Sequence, residues 1–124
     1  MPTIKSIQPE KSIQITFVDW FKRQYPNYSG NIIRIANDNA HKGYGMKMGL
    51  CSGASDIFIA VMKGGYAGFW LEIKKDKFKV TPSNKKHYYQ QMEFINRMIE
   101  SGYYAAMCTG LDACIYVTKT YMNS

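Results

Sequence analysis

The sequence predicts a single α/β domain with elements in the order α-β-β-β-α-β-α. Three observations carry this. The chain has 124 residues, enough for one compact core and too few for two. Hydrophobic residues make up 46% and charged residues 20%, the balance of a folded domain and not of a disordered one. Helical and strand periodicities alternate along the chain with no internal repeat, low-complexity stretch or linker, so residues 1–124 read as one domain.

The first helix is placed over about residues 9–24. Pro9 suits a first helical turn, where its missing N–H costs nothing. Behind it Ile13, Phe17, Trp20, Phe21 and Gln24 recur at helical spacing, and Pro26 forces a stop. Glu10 falls about 60° from Ile13 around the helix, at the edge of the apolar stripe. There it is either a favourable anion at a helix N-terminus or a carboxylate aimed inward.

Asn31–Ala36 (NIIRIA) reads as a short strand. The following NDNAHKGYGMKMGLCSGAS is loop with at most one helical turn, long for a compact domain, and long loops are often functional. Asp56–Met62 (DIFIAVM) is β-branched and apolar on both faces, as a central strand should be. KGGYAG supplies a turn, and Phe69–Lys74 (FWLEIK) returns as the second strand of a hairpin. Lys75–Lys86 is a basic loop around Pro82.

His87–Ser101 is the next helix. Phe94, Ile95, Met98 and Ile99 form its apolar stripe, Glu93, Arg97 and Glu100 face outward, and Gly102 stops it. Tyr103–Cys108 reads as a strand. Leu111–Met122 is the closing helix, although Ile115, Val117 and Thr118 are β-branched.

Composition excludes several classes. No apolar run approaches the roughly 20 residues that a bilayer span needs. The start MPTIKSIQPE has no apolar signal region, which argues against secretion. The three cysteines, Cys51, Cys108 and Cys114, form no CxxC pair, so neither a disulfide framework nor a zinc knuckle is expected. They read instead as small buried or half-buried thiols of an intracellular protein. There is no P-loop, nucleophile elbow or GxGxxG, and His41 and His87 lack metal-ligand spacing.

Net charge is more informative. The chain carries +7, and Lys74, Lys75, Lys77, Lys79, Lys85 and Lys86 cluster with only Asp76 against them. Such a cluster attracts polyanions, above all a phosphate backbone. From charge alone a solvated lysine-rich loop is the simpler account.

The hairpin supplies the chemistry that gives this cluster meaning. Glu72 and Lys74 lie two apart in a strand and share a face. If even-numbered residues pair across the hairpin, with Asp56 opposite Lys74, Asp56 and Glu72 become diagonal neighbours about 7–8 Å apart. Two carboxylates so placed can grip one hard cation, and Mg²⁺ prefers such a site. Lys74 would then sit beside the metal and stabilise transition-state charge. An odd register would send Asp56 to the other face. A solvated Glu-x-Lys edge is the common case, but charges within hydrophobic, central strands need a reason. On the next helix Gln91 lies near the middle of the apolar stripe, whereas Gln90 falls about 110° away. A buried glutamine must find hydrogen bonds, either in the backbone or in the site.

Together these segments resemble a known family. SGASDIFIAV, then LEIK, then QMEFINRMIESGYYAAMCTG is similar to the VRR-NUC nucleases, a branch of the PD-(D/E)XK superfamily. The first segment matches that family's approach to its "PD" strand, LEIK its E-x-K strand, and the third its helix. Gln91 stands eleven residues before Gly102, as the family's glutamine does before the glycine opening its last core strand. Glu10 before Gln14 resembles the glutamate of its first helix. The resemblance spans about residues 10–121. Ser55 stands where the family usually has proline, a residue that binds no metal.

The resemblance implies an αβββαβ restriction-endonuclease-like core with a mixed central sheet flanked by helices. It implies hydrolysis of DNA phosphodiester bonds with Mg²⁺ or Mn²⁺. Asp56 and Glu72 would be metal ligands, the Ile73 carbonyl a third, and Glu10 either a further ligand or the holder of a metal-bound water. Lys74 would be the catalytic lysine and Gln91 a supporting residue, with Lys75, Lys77, Lys79, Lys85 and Lys86 on DNA. Small stand-alone members resemble phage and bacterial proteins, so a cytoplasmic homodimer acting on branched or duplex DNA is implied, as in Holliday-junction resolvases. A catalytically degenerate DNA-binding or accessory protein on the same fold is the alternative.

Overall fold

The computed structural model describes residues 9–36, 47–49 and 51–124. His41 and most of the long loop after the first strand lie outside the described residues.

Helix α1 runs Glu10–Gln24. The Pro9 carbonyl accepts from the N–H groups of Ser12 and Ile13, which starts the helix as its sequence predicts. Ile13, Phe17 and Phe21 are buried, Trp20 is half-buried, and Gln24, expected on the stripe, is exposed. The last turn of α1 carries Lys22 and Arg23, and a 3-10 turn over Pro26–Tyr28 follows.

Four strands form one sheet in the order β1-β2-β3-β4. They are β1 (Ile32–Arg34), β2 (Ile57–Ile59), β3 (Phe69–Lys74) and β4 (Tyr104–Thr109). The first two are shorter than their sequence patterns. Their backbone pairing still reaches one residue further each way, since Ile35 N–H donates to Asp56 and Ala60 N–H to Asn31. Strands β1, β2 and β3 are antiparallel, and β4 joins β3 in parallel. The sheet is therefore mixed, and β2 is internal as its two apolar faces require.

The crossover from β3 to β4 is helix α2, Lys85–Glu100. It begins two residues before the expected His87, so Lys85 and Lys86 belong to its first turn and not to the loop. Gln91, Phe94 and Ile95 are buried and Met98 half-buried, but Ile99, expected inside, is half exposed. At the end, Tyr103 N–H donates to Met98 and Gly102 N–H to Ile99, the paired bonds of a Schellman stop. Gly102 takes the left-handed φ of +95° that this stop needs and that a side chain would resist. Helix α3, Leu111–Met122, closes the chain within the predicted bounds.

The layers follow from strand alternation. Phe69, Leu71 and Ile73 of β3 pack with Ile57, Ile59, Ile13, Phe17, Phe21, Cys114 and Tyr121, so α1 and α3 cover one face. The intervening Trp70 faces α2, stacking on Phe58 at 4.4 Å and meeting Phe94 edge-on at 5.1 Å. The Tyr121 hydroxyl donates to the Val61 carbonyl at 2.5 Å and pins α3 to the end of β2. Cys108 and Cys114 are buried, as expected, but Cys51 is exposed. No helix among the described residues is long and apolar enough to cross a membrane.

Candidate active site

The site is built where β2 and β3 part. Ile57 faces Leu71 and Ile59 faces Phe69, so the same register extended by one residue sets Asp56 opposite Glu72. The even pairing is as expected, but its partner is not: Asp56 lies across from Glu72, not Lys74. The carboxylates are therefore direct rather than diagonal neighbours.

Asp56 joins the strands on both sides. Its carbonyl accepts from Ile35 of β1, and its Oδ2 accepts from the Ile73 N–H of β3 at 2.9 Å. A strand residue sends its N–H and C=O toward the same neighbour. The Ile73 carbonyl therefore faces the Asp56 side of β3, while its side chain is buried on the opposite layer.

Glu72 is only 2% exposed, and no protein donor reaches its buried Oε1. Burial pushes its carboxyl up to about 10. Asp56, within hydrogen-bonding reach, and the charge of Glu10 push the same way, while Lys74 opposes them. Below that pH Glu72 holds its proton. A hard cation between Asp56 and Glu72 would take the proton's place, because it satisfies both charges at once.

Lys74 is 5% exposed on the same side of β3 as Glu72. Its ammonium lies over the Phe78 ring, 4.8 Å from the centroid. Beyond it the chain turns sharply. Phe78 N–H donates to the Lys75 carbonyl, and Lys77 takes a left-handed φ of +59°.

Gln91 is buried, in preference to the half-buried Gln90. Phe94 marks the level of Trp70. One turn toward the start of α2 brings Gln91, and two residues along β3 bring Glu72. The helix runs back against β3, so both steps lead to the same end of the layer. Gln91 Nε2 lies 3.2 Å from His87 Nε2, and its Oε1 is buried without a partner. His87 is exposed, and its i, i+4 spacing to Gln91 is the signal in the sequence for this contact. Gln90 instead accepts from the Ser52 hydroxyl, tying α2 to the segment that leads into Asp56. Gly53 passes so close that a Cβ there would fall 2.6 Å from the Gln90 carbonyl oxygen.

The structure thus brings together Asp56, Glu72, the Ile73 main chain and Lys74, with Gln91 at the same end. Glu10 is exposed at the start of α1; its charge is felt by Glu72. It joins no ligand cluster: among the described residues, no three His, Cys, Asp or Glu side chains gather as a metal-binding group. Lys75, Lys77 and Lys79 are exposed in the loop, and Lys85 and Lys86 are exposed on α2.

No family model matches the sequence. No curated protein matches it. Among solved structures, a "VRR_NUC domain protein" superposes with a TM-score of 0.79 at 27% identity, over 97% of this chain and 92% of that one. The resemblance read from SGASDIFIAV, LEIK and the α2 segment therefore extends to the fold.

Proposed function

We propose that this chain, which has the fold of a VRR-NUC domain, is a Mg²⁺- or Mn²⁺-dependent deoxyribonuclease. One observation carries the reading. Asp56 and Glu72 are opposed across β2 and β3, with Glu72 buried and pushed to about 10 by burial and its acidic neighbour. A fold does not retain such a pair for stability, since a buried unpaired carboxylate costs several kcal/mol.

The donors fit a hard cation, being all oxygen: two carboxylates and the Ile73 carbonyl. Asp56 and Glu72 would hold the metal, with the Ile73 carbonyl as a third ligand and Glu10 contributing its charge from outside that set. The metal, when bound, polarises a phosphodiester and lowers the pKa of water. Lys74 would direct its ammonium at the charge that develops on the phosphate. Gln91 would hold a polar group of the substrate or a water with its unpaired Oε1. Lys75, Lys77, Lys79, Lys85 and Lys86 would neutralise the DNA backbone. A homodimer would supply the two sites that a four-way junction needs, and junction selectivity is part of the proposal.

The test uses supercoiled plasmid, a flap and a synthetic four-way junction, each with Mg²⁺, Mn²⁺ or EDTA. Cleavage in metal, lost in EDTA and in Glu72→Gln, supports the reading. DNA binding with no cleavage in either metal defeats it in favour of a degenerate accessory protein.

A further inference from the structure

We propose that Phe78 is a positioning residue that seats the Lys74 ammonium for catalysis. This rests on the reading that Lys74 acts on the scissile phosphate. The Lys74 Nζ lies 4.8 Å from the Phe78 ring centroid, within cation–π range, although Lys74 itself is almost wholly buried. A lysine stem has four rotatable carbons, and an unrestrained ammonium samples many positions. An aromatic face restricts it without the counter-charge that a carboxylate partner would impose. The N–H donors not turned to the ring stay free for an incoming oxyanion.

The ring is itself held in place. Phe78 is half-buried and packs against Tyr88 of α2, with centroids 6.2 Å apart and planes 31° apart. The turn from Lys75 to Phe78, with its left-handed Lys77, folds the ring back over the residue that ends β3. That conformation is costly for a lysine, and it persists where surrounding contacts fix it. The basic loop after β3 therefore does two things. Its exposed lysines face solvent, and its one half-buried aromatic turns inward onto Lys74.

Phe78→Leu keeps an apolar side chain and removes the ring face, whereas Phe78→Tyr keeps the face. Single-turnover cleavage at saturating DNA with Mn²⁺ should slow about tenfold in Phe78→Leu, the rate equivalent of one buried cation–ring contact. The DNA Kd should stay unchanged, and Phe78→Tyr should restore most of the rate. Independently of activity, the Lys74 ε-methylene NMR signal should be ring-shifted upfield in the wild type and Phe78→Tyr, and normal in Phe78→Leu. Full activity of Phe78→Leu, equal slowing of both variants, or an unshifted Lys74 signal in the wild type overturns the proposal. If Phe78→Leu does not fold, the wild-type shift and the Phe78→Tyr rate still decide. A wild type inert on every substrate defeats the nuclease reading and the catalytic side of this one together. Failure of the seat alone looks different: the wild type cuts, Lys74→Ala does not, and Phe78→Leu does.

Discussion

Glu72 ties the stability of the protein to pH. Its carboxyl sits near 10 in the folded chain, against an ordinary value of 4.5. The folded state therefore binds this proton more tightly than the unfolded state does. The stability this contributes is fully present below the unfolded value and is lost as pH rises toward 10. In EDTA the melting temperature should fall between pH 5 and 9, and Glu72→Gln should flatten the fall. A wild-type profile as flat as the variant's would contradict the assignment. Ser55 makes a second prediction at this scale. Its hydroxyl is fully buried with no partner, so Ser55→Ala should raise stability by about 1 kcal/mol in urea denaturation.

The elements were legible where periodicity spoke, and less so where single side chains set a boundary. The bounds of β3 and α3 followed from FWLEIK and from the Leu111–Met122 pattern. The start of α2 did not, because two lysines read as more loop. Asn84 was the missed sign, a favoured N-cap residue whose carbonyl accepts the first helical N–H, from Tyr88. Its side chain works on the loop instead, accepting from Thr81 N–H and donating to the Lys79 carbonyl. The parity that joins Asp56 to Glu72 was legible as a condition, but the register that makes them direct opposites is fixed by pairing with Leu71 and Trp70. Phe78 carried no periodic signal at all. Three predictions belong here. Gly53→Ala should cost more than about 2 kcal/mol, since it combines a left-handed φ of +85° with a backbone clash against α2. Lys85→Ala with Lys86→Ala should weaken DNA binding and flatten its log–log salt slope by about 0.9 per lost phosphate contact. Lys74→Ala should instead lower the cleavage rate by roughly 10²-fold with binding little changed. Equal effects of the two on binding and rate would place the active face elsewhere.

At the scale of the molecule, charge and layering divide the work. The net charge of +7 gives the chain a general attraction for nucleic acid, while the carboxylate pair sits at one end of the β3–α2 layer. Affinity should therefore fall steeply with added salt, and the single-turnover rate at saturating DNA should not. A filter-binding series beside a saturated cleavage series, both from 50 to 200 mM salt, separates the two. Parallel loss of both would mean that the lysines and the carboxylates act as one unit.

The parallel pairing of β3 with β4 has a consequence for the order in which the protein comes into being. The hairpin that holds Asp56, Glu72 and Lys74 leaves the ribosome well before β4 and α3. Until then β3 has one open edge, and the face that α1 shares with α3 is only partly covered. Gly110 N–H bonds the Lys74 carbonyl, so the residue that opens α3 closes the backbone of the strand that carries Glu72 and Lys74. A nascent chain thus carries Asp56, Glu72 and Lys74 before β4 and α3 are there to pack against them. Pairing strands so distant in sequence is slow. Docking of helix α3, and not synthesis of the hairpin, completes the packing on that face of β3.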